Sequence, residues 1–245
     1  MYLTQTEQYL ADYMKKNPNQ VAHMSITKLS ETTNVSTASI VRTVKKLGYD
    51  GFTDYKLSLK EHVSKPVYDN LLIFEKKIRD VIIENEEEVI RTIKNMKSSL
   101  IEDALQYIYE AETIYLFAVG LSEQIAYEME LKFHLLNKRC ELYTDPLIIE
   151  SISTRPTKKD VGILISLMGN TDQLIVAAQN MLENDVPIIL ITANPNGTLT
   201  DYSTIQLTGH KSLSSRFPDF EVHSRLPLAV ISRVLIDAYV IRFNT

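Results

Sequence analysis

The sequence predicts two domains: an all-α head, then an α/β domain with a central five-stranded parallel sheet flanked by helices. Three observations predict it. Two short helical patterns between Ser25 and Leu47 are hinged at Asn34-Val35-Ser36. From Thr113 onward, short apolar runs alternate with helical stretches, the pattern of parallel strands covered on both faces. Charge also separates the parts: residues 1–60 hold eight Lys/Arg against five Asp/Glu, net +3, leaving 18 against 26, net −8, for the remainder. A mildly basic head on an acidic body is expected when only the head meets phosphate.

Within the head, the first helix is expected over about Ile26–Thr33, burying Ile26 and Leu29. Asn34 tolerates the left-handed backbone that a tight inter-helix turn needs. Val35 is placed to plug the space between the helices, and Ser36 is a natural N-cap. On the second helix Ile40, Val41, Val44 and Leu47 recur at helical spacing and are expected to face the core. That leaves Thr37, Ser39, Arg42, Thr43 and Lys46 on the outer side. Such a pair is a helix-turn-helix, whose second helix lies in the DNA major groove. The hydroxyls of Ser36, Thr37, Ser39 and Thr43 suit base edges, while Arg42, Lys45 and Lys46 suit phosphates or guanine. The bland alternative, a helical hairpin with a solvated basic face, is weakened by the charge distribution. A head this weakly basic binds DNA poorly as one copy, so a homodimer or tetramer is expected.

Composition bounds the remaining possibilities. A chain of 245 residues with 44% hydrophobic content can bury two cores. The single cysteine, Cys140, excludes an intramolecular disulfide framework and suits a reducing cytoplasm. It is expected to be a small buried residue rather than a nucleophile. No apolar run approaches a membrane span, and the N-terminus lacks an apolar signal core. A soluble, cytoplasmic protein without membrane partners is expected.

Ser64-Lys65-Pro66 breaks the helical reading and opens the connection between domains. Residues 68–97 then read as one or two charged amphipathic helices whose apolar set includes Leu71, Leu72, Phe74, Ile78, Ile82, Val89, Ile90 and Ile93. Such a helix also suits a dimer contact. The expected divisions are 1–65 for the head, 66–98 for a helical linker or dimerisation segment, and 99–245 for the α/β domain, beginning with a helix near Ser99–Ala111.

Strands are expected at Ile114–Val119, Cys140–Tyr143, Gly162–Leu167, Ile188–Thr192 and Ile205–Leu207, with helices at Glu123–Asn137 and Asp172–Glu183. Ligands of such sheets lie at the carboxyl ends of the strands, where loops feed helix N-termini. Three loops stand there. In Ala118-Val119-Gly120-Leu121-Ser122, Gly120 permits close backbone approach, and Ser122 either caps the next helix or donates its hydroxyl. In Ser166-Leu167-Met168-Gly169-Asn170-Thr171, hydroxyls and free N–H groups can cradle a phosphate without metal or lysine. Thr192–Gly197 ends a strand at a similar level and is expected at the rim.

The residues Thr4-Gln-Thr-Glu7, Asn17-Pro18, Val35-Ser36, Val41-Arg42 and Lys45-Lys46-Leu47-Gly48-Tyr49-Asp50-Gly51-Phe52-Thr53-Asp54-Tyr55-Lys56 resemble the N-terminal domain of RpiR-type bacterial regulators. Gly48 is suited to ending the second helix, and Lys56 joins the expected DNA contacts. Roughly residues 100–243 resemble the sugar isomerase (SIS) domain that this family carries. Its G-x-G-x-S motif appears as Ala118-Val119-Gly120-Leu121-Ser122, without the first glycine. Its S-x-S-G-x-T motif appears as Ser166–Thr171, with Met168 where a serine would offer a hydroxyl. The resemblance implies a DNA-binding regulator of carbohydrate-metabolism genes, bound to operator DNA and controlled by a phosphosugar effector. Gly120, Ser122, Ser166, Gly169, Asn170 and Thr171 would hold that effector, with no cofactor.

A sugar-phosphate isomerase is the enzyme alternative, since aldose–ketose isomerisation needs a base near an open-chain sugar. Glu221 and His223 before the last helix, and His134 after Gly120, are its candidates, though such residues more often stabilise loops. A regulator whose sensor has lost its ligand is a third reading. No cluster suggests a metal site. The C-terminal stretch Leu226–Phe243 reads as a buried helix with Pro227 at its start. Arg225 either helps to hold an anion or is simply exposed.

Overall fold

The computed structural model describes residues 4–47, 49–63, 74–212, 217 and 222–243. The chain falls into two compact units, Met1–Arg79 and Asp80–Thr245.

The first unit is helical. Helix α1 (Gln5–Lys16) opens on a reciprocal cap: Thr4 Oγ1 accepts the Glu7 N–H, and Glu7 Oε2 accepts the Thr4 N–H at 2.8 Å. Helix α2 (Pro18–His23) starts at a proline, which has no N–H to leave unmet. Helix α3 (Ile26–Thr33) is capped by Ser25 and closed by Asn34 at φ +54°, as its sequence predicts. Helix α4 (Thr37–Lys46) is capped by Ser36, and α5 spans Phe52–Val63. Leu10, Met14, Val21, Leu29, Val35, Ile40, Val44, Phe52 and Tyr55 form the core. Three expectations for α4 fail. Leu47 is 40% exposed, because the helix ends one residue earlier, and Val41 is only half-buried. Thr43, expected outside, is fully buried: its hydroxyl bonds to the Ser39 carbonyl at 2.8 Å, which satisfies the polar atom within the helix. Gly48, Ser64–Pro66, Leu71 and Leu72 lie outside the described residues.

Helix α6 (Lys76–Asn95) begins just before the boundary and runs into the second unit, followed by α7 (Ser98–Glu110). Then come β1 (Ile114–Ala118), a 3-10 turn at Gly120–Ser122, α8 (Glu123–Leu135), β2 (Cys140–Tyr143) and α9 (Pro146–Ile152). The chain continues as β3 (Val161–Ile165), α10 (Asp172–Glu183), β4 (Ile188–Thr192), a 3-10 turn at Thr198–Tyr202, β5 (Ile205–Thr208) and α11 (Leu226–Phe243). The strands form one parallel sheet in the order β2-β1-β3-β4-β5. Strand β3 starts one residue earlier than expected and ends two sooner, and α8 stops at Leu135.

Alternation along the strands divides the core into two layers, as successive side chains must face opposite ways. Leu116, Ile163, Ile165, Ile189 and Ile191 pack with α7, α8 and α11 through residues such as Leu105, Met129, Phe133 and Ile231. Phe117, Leu164 and Leu190 face the other way, onto Ile149 of α9 and Leu174, Ala178 and Met181 of α10. Cys140 is buried beneath α8, and burial first, then Glu130 and Glu141, pushes its thiol pKa up, so it is a packing residue. Among the described residues no helix is long and apolar enough to cross a membrane. The sheet delivers the carboxyl ends of β1 and β3 side by side, Ala118 paired with Ile165, with their loops turning over the same edge.

Candidate functional site

In the first unit the candidate surface is the N-terminal half of α4. Ser36 and Thr37 are exposed, as is Ala38 between them and Ser39. Ser36 Oγ accepts the Ser39 N–H at 3.2 Å and lies 2.9 Å from Ser39 Oγ; Arg42 Nη2 donates to the same Ser39 oxygen at 3.3 Å. The predicted serines and Arg42 therefore share one hydrogen-bonded face. Thr43 is not on it. Lys45 is exposed, but Lys46 turns back to Glu7 Oε2 at 2.7 Å, leaving it with an internal partner. Lys56 is half-buried with its ammonium 5.9 Å from the Phe52 ring centroid. Ala38 escaped the sequence reading, although a small apolar side chain at a recognition-helix N-terminus can touch a thymine methyl.

In the second unit a cavity of about 350 Å³ opens over the carboxyl ends of β1 and β3. Ser122, Ser166, Asn170 and Thr171 all line it, together with Val119, Met168, His223 and Arg225. Ser166 organises the loop after β3. Its Oγ accepts the Gly169 N–H at 3.1 Å and sits 3.2 Å from Thr171 Oγ1. Gly169 must be glycine by conformation, at φ +68°, and it is buried behind the cavity rather than lining it. Asn170 is exposed at the rim, and its Oδ1 accepts the Thr198 N–H at 2.8 Å. Thr171 is the N-cap residue of α10 but makes no side-chain cap bond, so its hydroxyl faces Ser166. The helix start behind it favours an anion.

Gly120 behaves differently from expectation. It is exposed at φ +63° and outside the cavity lining, and its N–H donates to Glu123 Oε1 at 2.7 Å. Gly120 shapes the turn; Ser122, 2% exposed, and Val119 are the residues of that loop that reach the cavity, and Ser122 brings the hydroxyl. The Thr192–Gly197 loop is not the rim either. It supports the phosphate-loop backbone, with Asn194 Nδ2 donating to the Met168 carbonyl at 2.9 Å and Thr192 Oγ1 to the Leu167 carbonyl at 3.2 Å.

Arg225 resolves toward the cavity: it forms part of the wall, and its Nη1 donates to the His223 carbonyl at 2.8 Å. Among the described residues it is the guanidinium in the cavity wall, and it comes from the segment before α11, far from both loops in sequence. His223 is a wall residue as well. His134 is not, because its Nε2 is spent on the Cys140 carbonyl at 2.9 Å. Glu221 lies outside the described residues. Among the described residues no group of three His, Cys, Asp or Glu is placed to hold a metal ion.

Comparison with known proteins agrees with both halves. Residues 1–66 match the family model for the helix-turn-helix domain of the rpiR family, and residues 107–213 match the SIS domain. An uncharacterised HTH-type transcriptional regulator of Clostridium perfringens is 26% identical over 253 residues, spanning 96% of this chain and 90% of that protein. The HTH-type transcriptional regulator RpiR of Escherichia coli K12 is 27% identical over 209 residues, spanning 82% and 71%. The fold is shared with the Vibrio vulnificus NanR protein, solved in complex with ManNAc-6P, at a TM-score of 0.62 and 21% identity, covering 99% of this chain and 88% of that one. With a helix-turn-helix head and a SIS domain in the same order, this chain belongs to the RpiR family of transcriptional regulators.

Proposed function

We propose that this regulator senses a phosphosugar in the cavity over β1 and β3 and transmits its presence to operator DNA held by α4. The convergence of Ser122, Ser166 and Thr171 hydroxyls with Arg225 on one cavity, at the start of α10, carries the reading. Hydroxyls, a helix N-terminus and a guanidinium suit a phosphate monoester. NanR, which shares the fold, was solved with a phosphosugar. Ser36, Thr37, Ser39 and Arg42 serve as the DNA-reading set, with Lys45 on phosphate. Lys46 and Thr43 contribute to the head's packing instead. The head spans about 1–65 and the sensor about 99–245, joined by the segment between them. Two heads act together on two half-sites, because a net charge of +3 on one head supplies few phosphate contacts. Such a protein works in the cytoplasm, where both operator and sugar phosphate are found. It senses rather than turns over its ligand. Arg225 Nη1 donates to the backbone carbonyl of His223, which fixes the guanidinium in the cavity wall for binding an anion.

Fluorescence anisotropy of DNA from upstream of the protein's own gene, at fixed salt and with competitor DNA, tests this directly. One phosphosugar from a panel should shift specific binding. Arg42→Ala should weaken operator affinity about tenfold, within the ~1–3 kcal/mol of one base-reading arginine, while leaving sugar binding intact. Thr171→Val should do the reverse, abolishing most of the sugar response at unchanged DNA affinity. Catalytic conversion of a phosphosugar by a chain without specific DNA affinity would replace this reading with an isomerase.

A further inference from the structure

A second cavity, of about 250 Å³, lies beside the first in the same unit. One wall is helix α6, through Val81, Glu84 and Glu88, and the other includes Ser212 and His223. His223 lines both cavities, so the two adjoin at that residue. Its Nδ1 is buried without a hydrogen-bond partner among the described residues.

Glu88 is the unusual residue. It is only 2% exposed, and its Oε1 accepts the Ser212 N–H at 2.7 Å. One turn further along α6, Thr92 Oγ1 accepts the His210 N–H at 2.9 Å, so the helix is pinned to this segment at two places. Yet Glu88 Oε2 is buried and has no hydrogen-bond partner among the described residues. An unmet carboxylate oxygen away from water is expensive, and folding retains one only where something repays it. Among the described residues no group of three His, Cys, Asp or Glu is placed to hold a metal ion beside it. What fits a carboxylate oxygen with open lone pairs is a hydrogen-bond donor, an O–H or N–H.

We propose that Glu88 receives a hydroxyl or amine at the sugar end of the effector, remote from its phosphate, so that one ligand spans the Ser166–Thr171 loop and helix α6. The inference rests on the phosphosugar reading above and makes it narrower. It defines the effector as a phosphate ester whose sugar carries a donor directed away from the phosphate. It also gives the effector a handle on α6, the helix that carries the chain across the boundary at Arg79–Asp80. A ligand held at both ends acts on the connection to the DNA-binding head directly.

Calorimetry on the full chain tests this, with orthophosphate, glycerol 3-phosphate, hexose 6-phosphates and hexosamine 6-phosphates as probes. In the wild-type protein the best sugar should bind well above glycerol 3-phosphate; a hexosamine preference assigns the donor as an amine, a hexose preference as a hydroxyl. Glu88→Gln keeps an oxygen for Ser212 but presents an NH2 where an acceptor is needed. It should lower sugar affinity about tenfold or more and leave glycerol 3-phosphate unchanged. An unaltered sugar preference in Glu88→Gln overturns the proposal, as does equal binding of glycerol 3-phosphate and every sugar by the wild type. If the variant does not fold, a series of deoxy-hexose 6-phosphates on the wild-type chain decides: one position must cost about tenfold, and a flat series overturns the proposal. Failure of the wild type to bind any phosphorylated probe is a different result, and it removes the phosphosugar reading itself.

Discussion

Glu7 and Lys46 illustrate how packing reassigns a side chain whose sequence position suggests another use. Lys46 sits among basic residues at the end of the recognition helix, yet its ammonium lies 2.7 Å from a Glu7 carboxylate that is 8% exposed, tying α1 to α4. The Lys46 hydrogen bond first, then the Thr4 backbone N–H, draws the Glu7 pKa from the usual 4.5 down to about 2. A carboxyl with a lowered folded-state pKa stabilises the fold above its unfolded value and loses that contribution as pH falls through the folded one. Glu7→Gln should therefore lower the melting temperature of the head at pH 7, and the deficit should shrink between pH 4.5 and pH 2. Circular dichroism melts across that range check it; a deficit unchanged at pH 2 would mean that the ion pair is not its source. Thr43 teaches the same lesson about reading side chains. Polarity alone places threonine outside a helix, but a hydroxyl that back-bonds to Ser39 leaves only a methyl to pack, and that fits a core.

Elements were more legible than side chains, because apolar runs and caps are local signals. The strands at Cys140–Tyr143 and Ile188–Thr192 and helices α3, α10 and α11 appear where their patterns predict them. Helix α9 escaped, being only seven residues long, although Asp145 at its N-cap and Pro146 after it form a start signal. In the sensor, Ser122, Ser166, Asn170 and Thr171 were readable as loop residues, whereas Arg225 and His223 reach the cavity only through tertiary placement. No local pattern announces that. The underside of the phosphate loop was equally hidden. A Cβ on Gly197 would stand 2.5 Å from the Met168 carbonyl oxygen and 2.9 Å from Gly169 Cα, both backbone atoms that cannot swing aside. The Gly197 backbone itself, at φ −73°, suits any residue. Gly197→Ala should therefore act purely through space, displacing the loop, costing about 1–3 kcal/mol of sensor stability and weakening phosphosugar binding while operator affinity is preserved. Normal sugar affinity in that variant would show that the loop tolerates a shift of this size.

At the scale of the whole molecule, a basic head and an acidic body were visible in charge counts before any element was assigned, and the two family matches follow the same order along the chain. What charge does not reveal is how the two functions are linked. Thermodynamics constrains that link whatever its path: a sugar that changes operator affinity by some factor must have its own affinity changed by operator DNA by the same factor. The sugar dissociation constant should therefore be measured with and without saturating operator, and the operator constant with and without saturating sugar. The two ratios should agree, within the roughly 5–150-fold range of ordinary allosteric coupling. Glu88→Gln should shrink both ratios together if α6 carries the coupling, whereas Arg42→Ala should weaken operator binding and leave the ratios intact. Unequal ratios would mean that the sugar acts on something other than this equilibrium, such as the association of copies that bind DNA together. Repeating the pair of titrations at several protein concentrations separates those cases, because only association makes the ratio depend on concentration.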